Sequence, residues 1–85
     1  MATRVVVFNE AIHPDYPPGG WQLCFQWVRY MKENGDTQDG YRFIWRRPAG
    51  DLQAARGQAR IPSLAQAGTL FEMARAAGWG NHDGG

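Results

Sequence analysis

The sequence predicts an α+β fold: an antiparallel sheet of three to four strands with one C-terminal α-helix packed on one face, a two-layer sandwich. Three observations predict it. Trp21 to Lys32 alternates with a period of two, placing Trp21, Leu23, Phe25 and Trp27 on one face and Gln22, Cys24, Gln26, Val28 and Tyr30 on the other. Tyr41, Phe43 and Trp45 repeat the pattern against Arg42, Ile44 and Arg46. From Ser63 onward the period lengthens to three and four, the spacing of a helix.

Taken in order, the first element is Val5-Val6-Val7-Phe8, a β-branched and aromatic run stopped by Asn9. It either pairs as a strand or remains an N-terminal arm. His13 to Gly20 holds three prolines and two glycines, which forbid a helix or a central strand, so a stiff surface connector is expected. The strand from Trp21 follows. Glu33 to Gly40 is polar, contains Asn-Gly and Asp-Gly, and reads as a long loop with a mobile tip. Tyr41 to Ile61 reads as a hairpin, in which Pro48-Ala49-Gly50-Asp51 forms the turn and Leu52 to Ile61 returns as a weaker strand, with a bulge at Gly57.

Ser63 is a natural N-cap, and Gln66 three residues on completes the capping-box spacing. Leu64, Ala67, Gly68, Leu70, Phe71, Met73, Ala74 and Ala77 form the apolar stripe, with Gln66, Thr69, Glu72, Arg75 and Ala76 outside. Gly78 is placed to end the helix in a left-handed conformation, with Trp79 folding back as the next residue. A single domain over residues 1–80 and a disordered tail over 81–85 are expected. The aromatic face of the sheet is assigned to the helix, and Gln22, Gln26, Tyr30, Arg42, Ile44 and Arg46 to the opposite, open face. The reverse assignment would bury two arginines without identifiable partners.

Composition narrows the functional classes. At 85 residues with 44% hydrophobic and 13% aromatic content, the chain has the apolar material of a folded domain rather than a disordered one. One cysteine, Cys24, excludes an internal disulfide and a multi-cysteine zinc site, and is expected to be a buried structural thiol. The start shows no secretory leader and no stretch reaches membrane-spanning length, so a cytoplasmic domain without a membrane partner is expected.

No nucleophile stands beside a base, no glycine-rich phosphate loop occurs, and His13 with Asp15 is the sole local His/Asp pair outside the tail. His13 is expected to be a solvated loop residue. The expectation is therefore a non-enzymatic domain without catalytic residues, metal or cofactor.

Charge singles out one segment. Residues 41–62 carry Arg42, Arg46, Arg47, Arg56 and Arg60 against Asp51 alone, and these five arginines are the candidate binding residues. Arginine on a two-stranded ribbon suits a nucleic acid. The layout from Tyr41 to Gly78 resembles the DNA-binding domains of plant ethylene-response factors and the arm-binding domains of phage integrases. That resemblance implies three strands and a helix, with the arginine face on DNA.

The overall charge of +1 argues against this as the leading expectation. One short helix cannot cover seven large residues on two strands, and aromatic rings left open mark an interface. A protein-interaction or homo-oligomerising module is thus expected first, with self-association through an edge strand, Arg4–Asn9 or Leu52–Ile61, as one route. Nucleic-acid binding through the 41–61 hairpin is the alternative.

Overall fold

The computed structural model describes residues 4–53 and 59–80. Three antiparallel strands, β1 (Arg4–Ile12), β2 (Gln22–Met31) and β3 (Thr37–Arg46), form one sheet in the order β1-β2-β3, and α1 (Leu64–Ala76) closes one face. The aromatic alternation therefore sits on the central strand β2, where both faces of the pleat are available for burial.

The N-terminal run joins the sheet and continues past Asn9 to Ile12. A bulge between Val7 and Asn9 absorbs one residue, which turns Phe8 towards Trp27 at 5.1 Å between ring centroids. The Glu33–Gly40 loop is shorter than its composition implies. Lys32 N donates to Asp36 O at 2.8 Å and Gly35 N to Lys32 O at 3.1 Å, so Glu33 and Asn34 stand at the centre of the turn, Gly35 follows at φ +90° and β3 begins at Thr37.

The hairpin at Arg47–Asp51 forms as expected, with Gly50 N donating to Arg47 O and Arg47 N to Asp51 O. Among its described residues, 52–53 and 59–61, the returning segment does not become a strand. It makes a single bridge, Leu52 to Arg46, and Gln53 N donates to Trp45 O at 2.8 Å. Residues 59–61 are irregular, and residues 54–58 between them and Gln53 lie outside the described residues. The suggested bulge at Gly57 and the tail at 81–85 lie outside the described residues. So does a part of the Tyr41–Gly78 layout, and its described portion holds only the end of one strand before the helix; the three strands come from residues 4–46.

The helix begins as its capping residues dictate, with Ser63 in extended conformation and its Oγ accepting from Gln66 N at 3.2 Å. It ends on a Schellman motif. Gly78 takes φ +76°, its N–H donates to Arg75 O, and Trp79 N donates to Ala74 O. Glycine is required there because a left-handed backbone carries no Cβ penalty only in its absence. The turn delivers Trp79 into the core, 4% exposed, with its ring stacked on Phe25 at 5.7 Å and parallel to Tyr41 at 6.3 Å.

The core lies between Leu23, Phe25 and Ala11 of the sheet and Ala67, Leu70, Ala74 and Trp79 of the C-terminal segment. Two ends of the expected apolar set fall outside it. Leu64 is 92% exposed because it stands in the first turn, beyond the sheet. Trp21 precedes β2 and is half exposed. Gln66, assigned outward, instead accepts the Tyr16 hydroxyl at 2.7 Å, and Tyr16 packs edge-on against Trp45 at 5.4 Å. The proline-rich loop is thereby tied to both layers.

Truncating Trp79 to alanine should cost about 3–5 kcal/mol, the range for losing a large buried ring. Gly78→Ala should cost about 1 kcal/mol through left-handed strain alone. Urea titrations of both variants check this; equal effects would show that the turn, not the ring, holds the helix down.

Candidate functional site

The helix covers the sheet unevenly, and that asymmetry makes the candidate site. Its buried side chains are Ala67, Leu70 and Ala74, and its backbone approaches β1 more closely than β2 or β3. Small residues permit that approach, since Ala11 is the β1 contribution to the core. The aromatic face of β3 is consequently left partly open. A cleft of about 390 Å³ runs between β3 and α1, lined by Phe25, Tyr41, Phe43, Phe71, Ala74 and Arg75.

Phe71 forms one wall. It meets Phe43 at 5.7 Å and Phe25 at 5.3 Å, both edge-on, yet remains 41% exposed. Phe25 and Phe43 form the floor, 4.7 Å apart across the β2–β3 ladder. Arg75 stands at the rim, largely exposed, with Nη1 2.8 Å from Glu72 Oε1. An exposed pair of this kind adds little to stability, so the guanidinium is available for another carboxylate. Tyr41 Oη and Trp27 Nε1, directly opposite one another on β3 and β2, are buried and have no hydrogen-bond partner among the described residues.

The opposite face is not the open arginine surface expected. Gln26 is 1% exposed, Cys24 and Val28 0% and Ile44 5%, although no second layer of described residues packs there. The cover is a polar network lying flat on the sheet. Arg46 on β3 reaches across β2 to Glu10 on β1, its Nη2 lying 2.7 and 2.9 Å from the two carboxylate oxygens. Glu10 Oε2 also accepts from Gln26 Nε2 at 2.5 Å, and Gln26 Oε1 accepts from Arg42 Nε at 2.8 Å. Arg46 Nη1 adds a bond to Gly50 O at 2.6 Å. The two arginine stems can lie over the sheet because their heads find acceptors, Glu10 and Gly50 O for Arg46 and Gln26 Oε1 for Arg42.

The bonds to Glu10 hold the Arg46 guanidinium above its ordinary range. Beneath the network, burial pushes the Cys24 thiol up from its ordinary 9.0, with Glu10 adding to the effect and Arg46 opposing it. Cys24 is thus a protonated, structural thiol at neutral pH. Beyond the turn end of the cleft, Asp39 accepts two bonds from Arg29, at 2.7 and 3.1 Å, which lowers its carboxyl. Arg29 also lies over the Phe8 ring, 5.2 Å from its centroid.

The five arginines singled out by charge do not converge. Arg42 and Arg46 belong to the network. Arg47 is exposed, 3.9 Å from Asp51 across the turn, and Arg60 is exposed, with its carbonyl accepting from Trp45 Nε1 at 2.8 Å. Arg56 lies outside the described residues. His13 is buried rather than solvated, 4% exposed, with Nδ1 accepting from Asp15 N at 3.1 Å and its ring against Tyr16. Among the described residues no cluster of His, Cys, Asp and Glu is arranged to hold a metal, and no helix is long and apolar enough to cross a membrane.

Phe71 and Arg75, the residues that make the cleft, were assigned by helical periodicity to the core and to the outer face. Their shared rim position depends on where the helix lies over the sheet, which periodicity does not encode. Compared with known proteins, the chain matches no family model, no curated protein and no solved structure.

Glu10→Ala should destabilise the domain by about 1–3 kcal/mol, because Arg46 and Gln26 lose their acceptor while still covered. Combining it with Arg46→Met should recover much of that loss in a double-mutant cycle by urea unfolding. Cys24 should resist an aromatic disulfide reagent in the folded state and react on unfolding. Because its folded pKa is the higher one, its contribution is unchanged below pH 9.0 and falls as pH rises beyond it, when the unfolded chain ionises first. Chemical denaturation across pH 8–10 of the native chain against Cys24→Ala reads that slope.

Proposed function

We propose that this domain is a protein-interaction module whose docking element is the aromatic cleft between β3 and α1, occupied by apolar side chains of a partner protein. The observation that supports this reading is Phe71, a large ring in contact with two others yet 41% exposed at the edge of a lined cleft. A domain of this size gains from burying such a ring, and aromatic pairs add about 0.5–1.5 kcal/mol beyond area. Leaving it at the surface forgoes that gain unless another chain covers it. Aromatic lining with a single arginine at the rim matches the composition of interface centres.

Nucleic-acid binding has less support. The two arginines that would lead it, Arg42 and Arg46, donate to Gln26 and Glu10, and one acid already offsets part of their charge. The network holds their heads flat on the sheet rather than raised towards a phosphate.

A photoreactive residue at position 71, introduced in expressing cells, should crosslink one discrete partner. The same residue at position 64, 92% exposed and outside the cleft, should not. Phe43→Glu should abolish the crosslink. Equal labelling from both positions would overturn the cleft as a docking element. A product of twice the mass of the chain would assign its occupant to a second copy, the homo-oligomeric form of the same reading.

A further inference from the structure

We infer that the partner group seated in the cleft is an aromatic side chain with a carboxylate beside it: the ring packs on Phe43 and Phe71, and the acid meets Arg75. The inference rests on the cleft being a docking element and specifies the chemistry of what docks there. Two features carry it.

The first is the unequal packing of the rings that line the cleft. Phe25, at the floor, is 5% exposed; Tyr41 and Trp79 stack on it, Phe71 meets it edge-on and Phe43 lies tilted beside it. Its surroundings are complete. Phe43 and Phe71 touch each other and Phe25, and both keep ring surface towards the cleft, Phe43 half-buried and Phe71 exposed. Their planes stand at 62°, so a further ring laid parallel to one of them meets the other close to edge-on. Both geometries suit the negative face and positive edge of an aromatic ring. An aliphatic side chain fills the same corner without that match.

The second is the cation at the rim. Phe71 and Arg75 are four residues apart on α1 and are therefore neighbours on one helix face, so the groups that meet them must be adjacent on the partner. Arg75 lines the cleft, whereas Glu72, its partner, does not. The two side chains are 65% and 72% exposed, and an ion pair this open is weakly held. The helix end makes no demand on the guanidinium either. The carbonyls of Met73, Ala74 and Arg75 accept from the N–H groups of Ala77, Trp79 and Gly78, which leaves Arg75 free of the capping role that a cation in the last turn often takes. Its charge faces whatever enters the cleft. A carboxylate carried in beside the ring forms a charge-assisted pair with it, and a lysine or arginine in that place is repelled.

The test is selection of displayed random peptides against the whole chain. Enriched peptides should pair Trp, Tyr or Phe with a neighbouring Asp or Glu, and should shift the resonances of Phe43, Phe71 and Arg75 in the native chain. In a selected peptide, exchanging the ring for leucine should weaken binding about two- to tenfold. Exchanging the acid for its amide should weaken binding to the native chain about two- to fivefold, and should leave binding to the Arg75→Gln variant unchanged. Added salt should shrink that difference. Selection against Arg75→Glu should return basic residues in place of acidic ones.

Peptides lost on Phe71→Glu that carry aliphatic anchors, or whose acid is indifferent to Arg75, would overturn the acidic aromatic occupant while leaving the cleft reading in place. No enrichment, or peptides that ignore Phe71→Glu and shift no resonance of the cleft, would overturn both. Shifts at Phe43, Phe71 and Arg75 on concentrating the protein without peptide would overturn a foreign partner in favour of a second copy.

Discussion

The parallel stack of Trp79 on Phe25 and Tyr41 is the contact on which the two layers depend. The helix is a weak partner for the sheet by itself, since its buried side chains are two alanines and one leucine. Its hold is completed after its last turn, where a left-handed glycine reverses the chain and drops an indole onto two rings of β2 and β3. A tryptophan there buries more apolar area than both alanines together. The helix stop is therefore as much a packing device as a terminator.

The position of the helix follows from that division of labour. Small side chains let its backbone settle near β1, beside Ala11, while Trp79 secures its far end over the centre of the sheet. A single helix is only about 10–12 Å across with its side chains, so one settled near β1 does not shield the β3 side as well. What stays uncovered is the β3 side, where Phe43 and Phe71 meet at the rim of the cleft. The feature with functional potential is thus a consequence of a small helix on a wide aromatic sheet.

The other face shows a different solution to the same shortage of layers. With no element packed on it among the described residues, β2 is still buried there, because Arg46 and Glu10 join hands over it from the two flanking strands and Arg42 closes on Gln26. Long stems cover apolar surface and their charged ends neutralise one another. The same network neutralises Arg46 with Glu10 and ties Arg42 to the Gln26 amide, which keeps both from converging with the exposed Arg47 and Arg60. Cross-strand distance matters here: Arg46 and Glu10 are thirty-six positions apart in sequence, yet the sheet sets them on either side of one strand.

The sequence by itself determined the pleat of β2 and β3, the amphipathic helix and the helix ends. Alternation on β2 and β3 reports a pleat of period two, and Ser63, Gln66 and Gly78 report orphaned amides and carbonyls that must be satisfied locally, so both are legible within a few residues. Turn length and strand limits were less legible, as Thr37–Gly40 shows: polar residues with low strand propensity are carried into β3 by pairing with β2. Tertiary structure alone decided the rest. It brought Glu10 to Arg46, turned His13 and Gln26 inward, sent Leu64 out, and set the helix towards β1. Each of these depends on the distance between residues remote in the chain, and a pattern read over ten positions carries the period of an element but not the place where it lands.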